Sequence, residues 1–229
     1  MLIVAHGTAS PRGSQTTRDL VHQVALARPG VAVGLCFLDV AEPTLASALE
    51  HTTVATVVLP LLLSTGFHTL VDIPAAIAAR IAMTPEGAGA ARLALAVATH
   101  LGPDEALVDI LLDRLAEVRH RPAASTALVA AGSTREQAAA ELHRTGQLLA
   151  TRLGRPVSVH TVDDQLPKHL AALAAPVEVV PYLLAEGRFM DSLRAAAPDS
   201  AMVAAPIGVH PALISLLWSR YDEASTALG

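Results

Sequence analysis

Two histidines stand directly after apolar runs: LIVA leads into His6-Gly7, and VVLPLLLSTGF leads into His68. Between them in the chain, VGLCFL runs into Asp39. Short apolar runs bounded by glycine, proline and small polar residues read as buried strands. In a parallel sheet, ligands bind at the carboxyl ends of the strands. Two imidazoles and a carboxylate on one such edge make a donor set suited to divalent iron, cobalt, nickel or zinc. Imidazole also gains and loses a proton near neutrality, so the pair can serve as ligand or as base.

The other histidines give no such pattern. His22, His120 and His143 read as helix-surface or linker residues, and His51, His100, His160, His169 and His210 find no partner by spacing. Of these, His100 and His210 flank the edges of the fourth strand in each half of the chain.

The elements that must position these groups alternate between short apolar runs and longer Ala/Leu-rich stretches of helical period, the rhythm of βαβ units. Strands are expected near 2–5, 31–38, 54–62 and 92–98, with helices near 14–28, 43–50, 73–83 and 103–118. RHRPAAS, from Arg119 to Ser125, then interrupts with charge and Pro122, as a linker does. Beyond it, strands are expected near 126–130, 156–162, 177–184 and 201–204, and helices near 135–152, 167–174, 188–196 and 210–224.

The restart is a repeat. ALVAAGSTR lies over LIVAHGTAS, HTVDDQLP over CFLDVAEP, EVVPYLLAEGRF over VVLPLLLSTGFH, and PIGVHPALISLLWSRY over HLGPDEALVDILLDRL. The offset shrinks from 125 to 106 residues, so the second copy has shorter loops in the same order. We therefore expect an α/β fold built by tandem duplication of a four-stranded, mostly parallel sheet flanked by helices. The domains are expected at 1–120 and 124–229, facing one another across a cleft. The duplication also acts as an internal control. His6 aligns with Ala131 and His68 with Phe189, so neither imidazole is needed by the fold itself, whereas Asp39 keeps a counterpart in Asp163.

Composition limits the partners. Of 229 residues, 52% are hydrophobic, 16% charged and only 3% aromatic, and the net charge is −5. That charge argues against nucleic acid and anionic membrane surfaces, and the few aromatics argue against base stacking. The longest apolar run, Val54 to Leu63, is too short to span a bilayer and contains Pro60. MLIVAHG lacks the basic start and cleavage site of a secretory signal. The single cysteine, Cys36, sits in an apolar run and fits a buried thiol in a reducing cytosol, so the expected location is cytoplasmic.

VAHGTASPRG, FLDVAEPTL, VLPLLLSTGFHTLVDIP and HLGPDEALVDILLDRL resemble the landmark segments of the sirohydrochlorin chelatases, class II enzymes that insert a metal into a tetrapyrrole on the way to siroheme or cobalamin. VPYLLAEGRFMDSL and IGVHPALISLL resemble the second half of the family's two-domain members. The resemblance implies that His6 and His68 are catalytic metal ligands. It places the family's carboxylate on Asp39, where relatives carry Glu, with Glu42 as the competing candidate. Ala5 and Thr8-Ala9-Ser10 depart from the family pattern, and Arg12 stands in for its arginine. The implied substrate carries eight carboxylates, for which Gly7, Thr8, Ser10, Arg12, Ser64, Thr65, Ser133, Arg135 and Arg188 are the candidate contacts. The implied metal, itself a substrate, is Fe2+ or Co2+, with no organic cofactor. Iron insertion for siroheme leads; cobalt insertion for cobalamin and a non-catalytic metal or tetrapyrrole carrier are the alternatives. A monomer is expected, because the second copy supplies the opposite wall. A histidine phosphatase would need an arginine directly before the histidine, where Ala5 stands.

Overall fold

Every residue of the first and third strands is buried, as it must be when helices cover both faces of a parallel sheet. The computed structural model describes residues 1–83 and 93–228. The first half runs β1 (Leu2–Ala5), α1 (Pro11–Ala27), β2 (Gly34–Phe37), α2 (Leu45–Glu50), β3 (Thr56–Leu61), α3 (Ile73–Ala82), β4 (Leu95–Val97) and α4 (Glu105–Val118). The second runs β5 (Ser125–Ala130), α5 (Glu136–Leu153), β6 (Ser158–Thr161), α6 (Leu166–Ala171), β7 (Val177–Tyr182), α7 (Arg188–Ala196), β8 (Met202–Val203) and α8 (Pro211–Ser225). The sheets have the orders β2-β1-β3-β4 and β6-β5-β7-β8, and every strand pair is parallel. The fold is thus α/β, two four-stranded parallel sheets flanked by helices. Residue 92, where the sequence placed the start of the fourth strand, lies outside the described residues. None of the described helices is long and apolar enough to cross a membrane.

The repeat extends to single residues. Val4 pairs with Cys36 and Pro60; Val129 pairs with His160 and Pro181. A proline inside a central strand forfeits a ladder hydrogen bond. Here both prolines lie past the last paired residue of the neighbouring edge strand, Val58↔Val97 and Val179↔Val203. The carbonyls of Val58 and Val179 point to that side, so the missing N–H of each proline faces a strand that has already ended.

The last helix of each half crosses to the other. α4 packs on β7, β8 and α5, whereas α8 packs on β3, β4 and α1. One core therefore runs through both halves, joining Ile3, Leu59 and Leu111 to Leu128, Val180 and Leu217. Two smaller cores lie on the outer faces, one around Val4, Cys36, Leu45 and Leu49, the other around Val129, Leu166, Leu170 and Met190. The segment read as a linker is also tied down. Arg119 forms a two-pronged pair with Glu178, which is 0% exposed, at 2.6 and 3.0 Å, and Arg155 closes on the same carboxylate. Burial alone would raise the Glu178 carboxyl, but the two guanidinium groups outweigh it and hold it below the usual range. α1 begins at Pro11, three residues before the expected start, because Ser10 caps it by accepting the Gly13 N–H at 3.4 Å.

Candidate functional site

His6 leaves the sheet at the carboxyl end of β1, and its carbonyl accepts the Asp39 N–H at 3.0 Å. Gly7 follows with φ +96°, and a Cβ there would lie 1.9 Å from the Asp39 carbonyl oxygen. Only glycine lets the chain turn this close to the β2–α2 loop. The glycine after His6 is what lets the imidazole hold its place at the sheet edge.

His68 opens a single π-helical turn, His68–Asp72, that feeds α3. Such turns are rare and concentrate at functional sites. Its Nδ1 donates to Asp72 Oδ2 at 2.5 Å, which leaves Nε2 as the nitrogen free to ligate. The His6 and His68 rings meet edge to face, centres 4.7 Å apart at 86°. An ion about 2.0–2.1 Å from each ligating nitrogen lies about 3.2 Å from each ring centre, so two imidazoles sharing it at angles of about 90–120° have centres about 4.5–5.5 Å apart. The observed spacing fits.

Both rings line a cavity of about 960 Å³ to which both halves contribute, at the upper end of the usual small-molecule range. Of the residues read from the sequence, Gly7, Thr8, Ser10, Ser64, Thr65, Ser133 and Arg188 line it as well. Arg12, Arg135 and Asp39 do not. Arg12 pairs with Asp191 on the surface at 3.3 Å. Arg135 lies over the ring of Phe67, a lining residue that is 54% exposed. Thr65 is buried, and Glu141 of α5 accepts from both its N–H (2.6 Å) and its hydroxyl (2.5 Å), so its polar groups are already engaged.

Asp39 Oδ1 accepts the N–H of Val40 at 2.8 Å. Glu42 accepts the Thr44 N–H ahead of α2, also at 2.8 Å. Among the described residues no three histidine, cysteine, aspartate or glutamate side chains converge as a preformed metal site. His100 approaches Thr65 and Glu141, and His210 caps α8 through the Ala212 N–H, so both serve the scaffold. Cys36 is buried, and burial pushes its thiol up to about 12, leaving it un-ionised and a poor ligand.

Asp72 was not read from the sequence, although HTLVD places it four residues after His68, one helical turn away on the same face. His160 and His169 were set aside, yet both line the cavity with ring centres 5.4 Å apart.

The family model CbiX matches residues 1–118. A sirohydrochlorin cobaltochelatase of Methanosarcina barkeri is 27% identical over 51% of this chain and 94% of its own. Among solved structures, the sirohydrochlorin chelatase SirB from Bacillus subtilis subspecies spizizenii, in complex with cobalt, has a TM-score of 0.81 at 22% identity, covering 98% of this chain and 94% of that one. SirB from Bacillus subtilis with Fe3+ gives 0.79 at 20% identity, covering 97% and 94%. CbiX, described as the terminal enzyme of siroheme biosynthesis in denitrifying bacteria, gives 0.69 at 19%, covering 97% and 98%. At these identities the structural likeness is one of fold.

Proposed function

The chain belongs to the CbiX family, and from that premise we propose that it is a sirohydrochlorin chelatase, inserting a divalent metal ion into the tetrapyrrole. The observation that carries this reading is the perpendicular His6–His68 pair in a cavity of about 960 Å³. Two neutral imidazoles hold the ion at the face of the macrocycle. Asp72 fixes His68 with Nε2 toward the ion. As the ion passes to the ring nitrogens, two pyrrole protons leave, and the imidazoles it vacates accept them. The scheme uses no organic cofactor.

Residues 1–120 supply the histidines and residues 124–229 the facing wall. Arg188, Ser133 and Thr8 meet substrate carboxylates, and the start of α1 adds the positive end of its dipole. Phe67 and Phe189, exposed at the cavity wall, offer apolar contact to the flat ring. Because one chain supplies both walls, we read it as a monomer, and the single buried thiol fits the cytoplasm. Iron for siroheme is the first assignment and cobalt the second; the Methanosarcina barkeri cobaltochelatase relative supports cobalt. Cobalt binds nitrogen and oxygen donors more tightly than iron as a general trend, so both ions belong in the assay. The test is the rate of sirohydrochlorin metallation against the protein-free reaction at equal free metal. Acceleration is expected; tight binding of tetrapyrrole and metal with no acceleration would make the protein a carrier.

A further inference from the structure

The π-helical turn His68–Asp72 contains no buried residue, so apolar packing does not hold it in place. The loop ahead of it is held by polar groups, and two of them come from the second half. The Tyr182 hydroxyl of β7 donates to the Leu63 carbonyl at 3.1 Å. Glu141 of α5 accepts the Thr65 N–H on Oε2 at 2.6 Å and the Thr65 hydroxyl on Oε1 at 2.5 Å. Thr65 is 2% exposed and the Glu141 side chain 14%, so water screens these charged hydrogen bonds little. The hold passes along the chain. The Gly66 N–H donates to the Thr69 hydroxyl oxygen at 2.8 Å, and that hydroxyl donates back to the Gly66 carbonyl at 3.0 Å. His68 lies between these two residues.

The repeat shows that this bracing is particular to the loop that leads into His68. The buried positions Gly13, Leu20, Val21 and Val24 of α1 match Ala138, Thr145, Gly146 and Leu149 of α5, so Glu141 stands where α1 has Thr16. The Thr16 hydroxyl stays within its own helix, donating to the Arg12 carbonyl at 3.0 Å. Tyr182 stands where β3 has Leu61, since Ala130 pairs with one as Ala5 pairs with the other. In the second half, the Leu184 carbonyl, counterpart of Leu63, accepts the Gly208 N–H of the same half at 2.9 Å. The Glu186 carboxylate, at the place of Thr65, pairs with Arg194 of the same half. Gly102 accommodates the cross-half contact: a Cβ there would lie 2.1 Å from the Tyr182 hydroxyl oxygen and 2.6 Å from the Leu63 carbonyl oxygen. Only glycine leaves room for that hydrogen bond.

We infer that Glu141 and Tyr182 are positioning residues for His68, through which the second half braces the metal-binding loop of the first. They act on the segment from Leu63 to Thr65 and so fix where the imidazole stands before the ion arrives. The second half is thereby part of the metal grip as well as the facing wall. This assignment rests on the chelatase reading with His68 as a metal ligand, and the experiment separates the two.

Parent and variant chains are compared in the initial rate of Co2+ insertion into sirohydrochlorin over a range of metal, and in Co2+ affinity by calorimetry without tetrapyrrole. Glu141→Ala should raise the KM for Co2+ at least about fivefold and leave kcat at saturating metal within about twofold of the parent. A merely structural loss would lower kcat through the amount of folded chain and leave KM unmoved. Thr65→Val and Tyr182→Phe, each short of one hydroxyl, should raise KM at least about twofold, whereas Thr65→Ser, which keeps both donors, should restore the parent value. If Glu141→Ala does not fold, those three variants take its place. An unchanged KM in Glu141→Ala, or in both Thr65→Val and Tyr182→Phe, would overturn the inference, as would a fall in kcat alone. Should the parent chain not accelerate insertion, the chelatase reading fails by itself. The calorimetric affinities of the same variants then decide the brace: a matching loss supports it, and parental affinity overturns it.

Discussion

Replacing Asp72 by alanine removes the carboxylate that accepts from His68 Nδ1 at 2.5 Å. A hydrogen bond to a charged group contributes about 1.5–3 kcal/mol when dry. Here the His68 and Asp72 side chains are 27% and 37% exposed, so water screens the pair and about 1–2 kcal/mol is the fitting range. At about 1.4 kcal/mol per factor of ten, that is a loss of about 5- to 30-fold in metal held at His68; second contacts of metal-binding histidines commonly cost about 10- to 100-fold. Asp72→Asn should lose less, because its amide oxygen still accepts from Nδ1–H and only the charge is gone. The assay is the initial rate of Co2+ insertion into sirohydrochlorin at limiting metal, with thermal unfolding to confirm the fold. Asp72→Ala is expected near a tenth of the parent rate, rising toward it as metal is increased. A rate within twofold of the parent at limiting metal would refute the positioning role.

Glu178→Ala should destabilise the chain by about 1.5–3 kcal/mol in urea unfolding, because it removes the buried partner of Arg119 and Arg155, whose side chains, 39% and 28% exposed, are then left to water; a loss below about 1 kcal/mol would show the pair is dispensable. Asp39→Ala should slow insertion by less than about threefold, since its carboxylate is engaged by the Val40 N–H and Asp39 does not line the cavity; a loss equal to that of His6→Ala would make it a ligand. Acid should destabilise the chain partly through His160. With its folded value lowered, the unfolded chain takes up a proton that the folded chain refuses, so this contribution is complete above the ordinary 6.5 and declines as pH falls below it. His160→Leu should flatten unfolding free energy between about pH 6.5 and 5; identical slopes in parent and variant would contradict the direction of that shift.

The sheets were legible because the strand runs recur in order, and a repeat that aligns Val4 with Val129 and Pro60 with Pro181 leaves little freedom in topology. The exchange of α4 and α8 was not legible. A buried helical face shows that a helix packs, not which of two similar sheets receives it. His6 and His68 stood out because strand periodicity ends on them and the second copy lacks them. Asp39 carried the same strand-end signature, but the turn that Gly7 forces brings its carbonyl against the β1 loop, and its carboxylate folds onto Val40. His160 and His169 join a strand to a separate helix, which no short spacing rule detects. Arg119 looked like linker charge because its partner Glu178 lies 59 residues away.

That His6 and His68 together carry insertion is tested most directly by the initial rate of sirohydrochlorin metallation in folded His6→Ala and His68→Ala chains, from about pH 5 to 8.5 against free-ion controls. Each substitution is expected to cost at least about 100-fold, since each removes half of a two-imidazole grip. The parent rate should fall on the acid side, where protons compete with the ion for both rings. Near-parental rates in either variant, or a flat parent profile from about pH 5 to 7, would contradict the assignment.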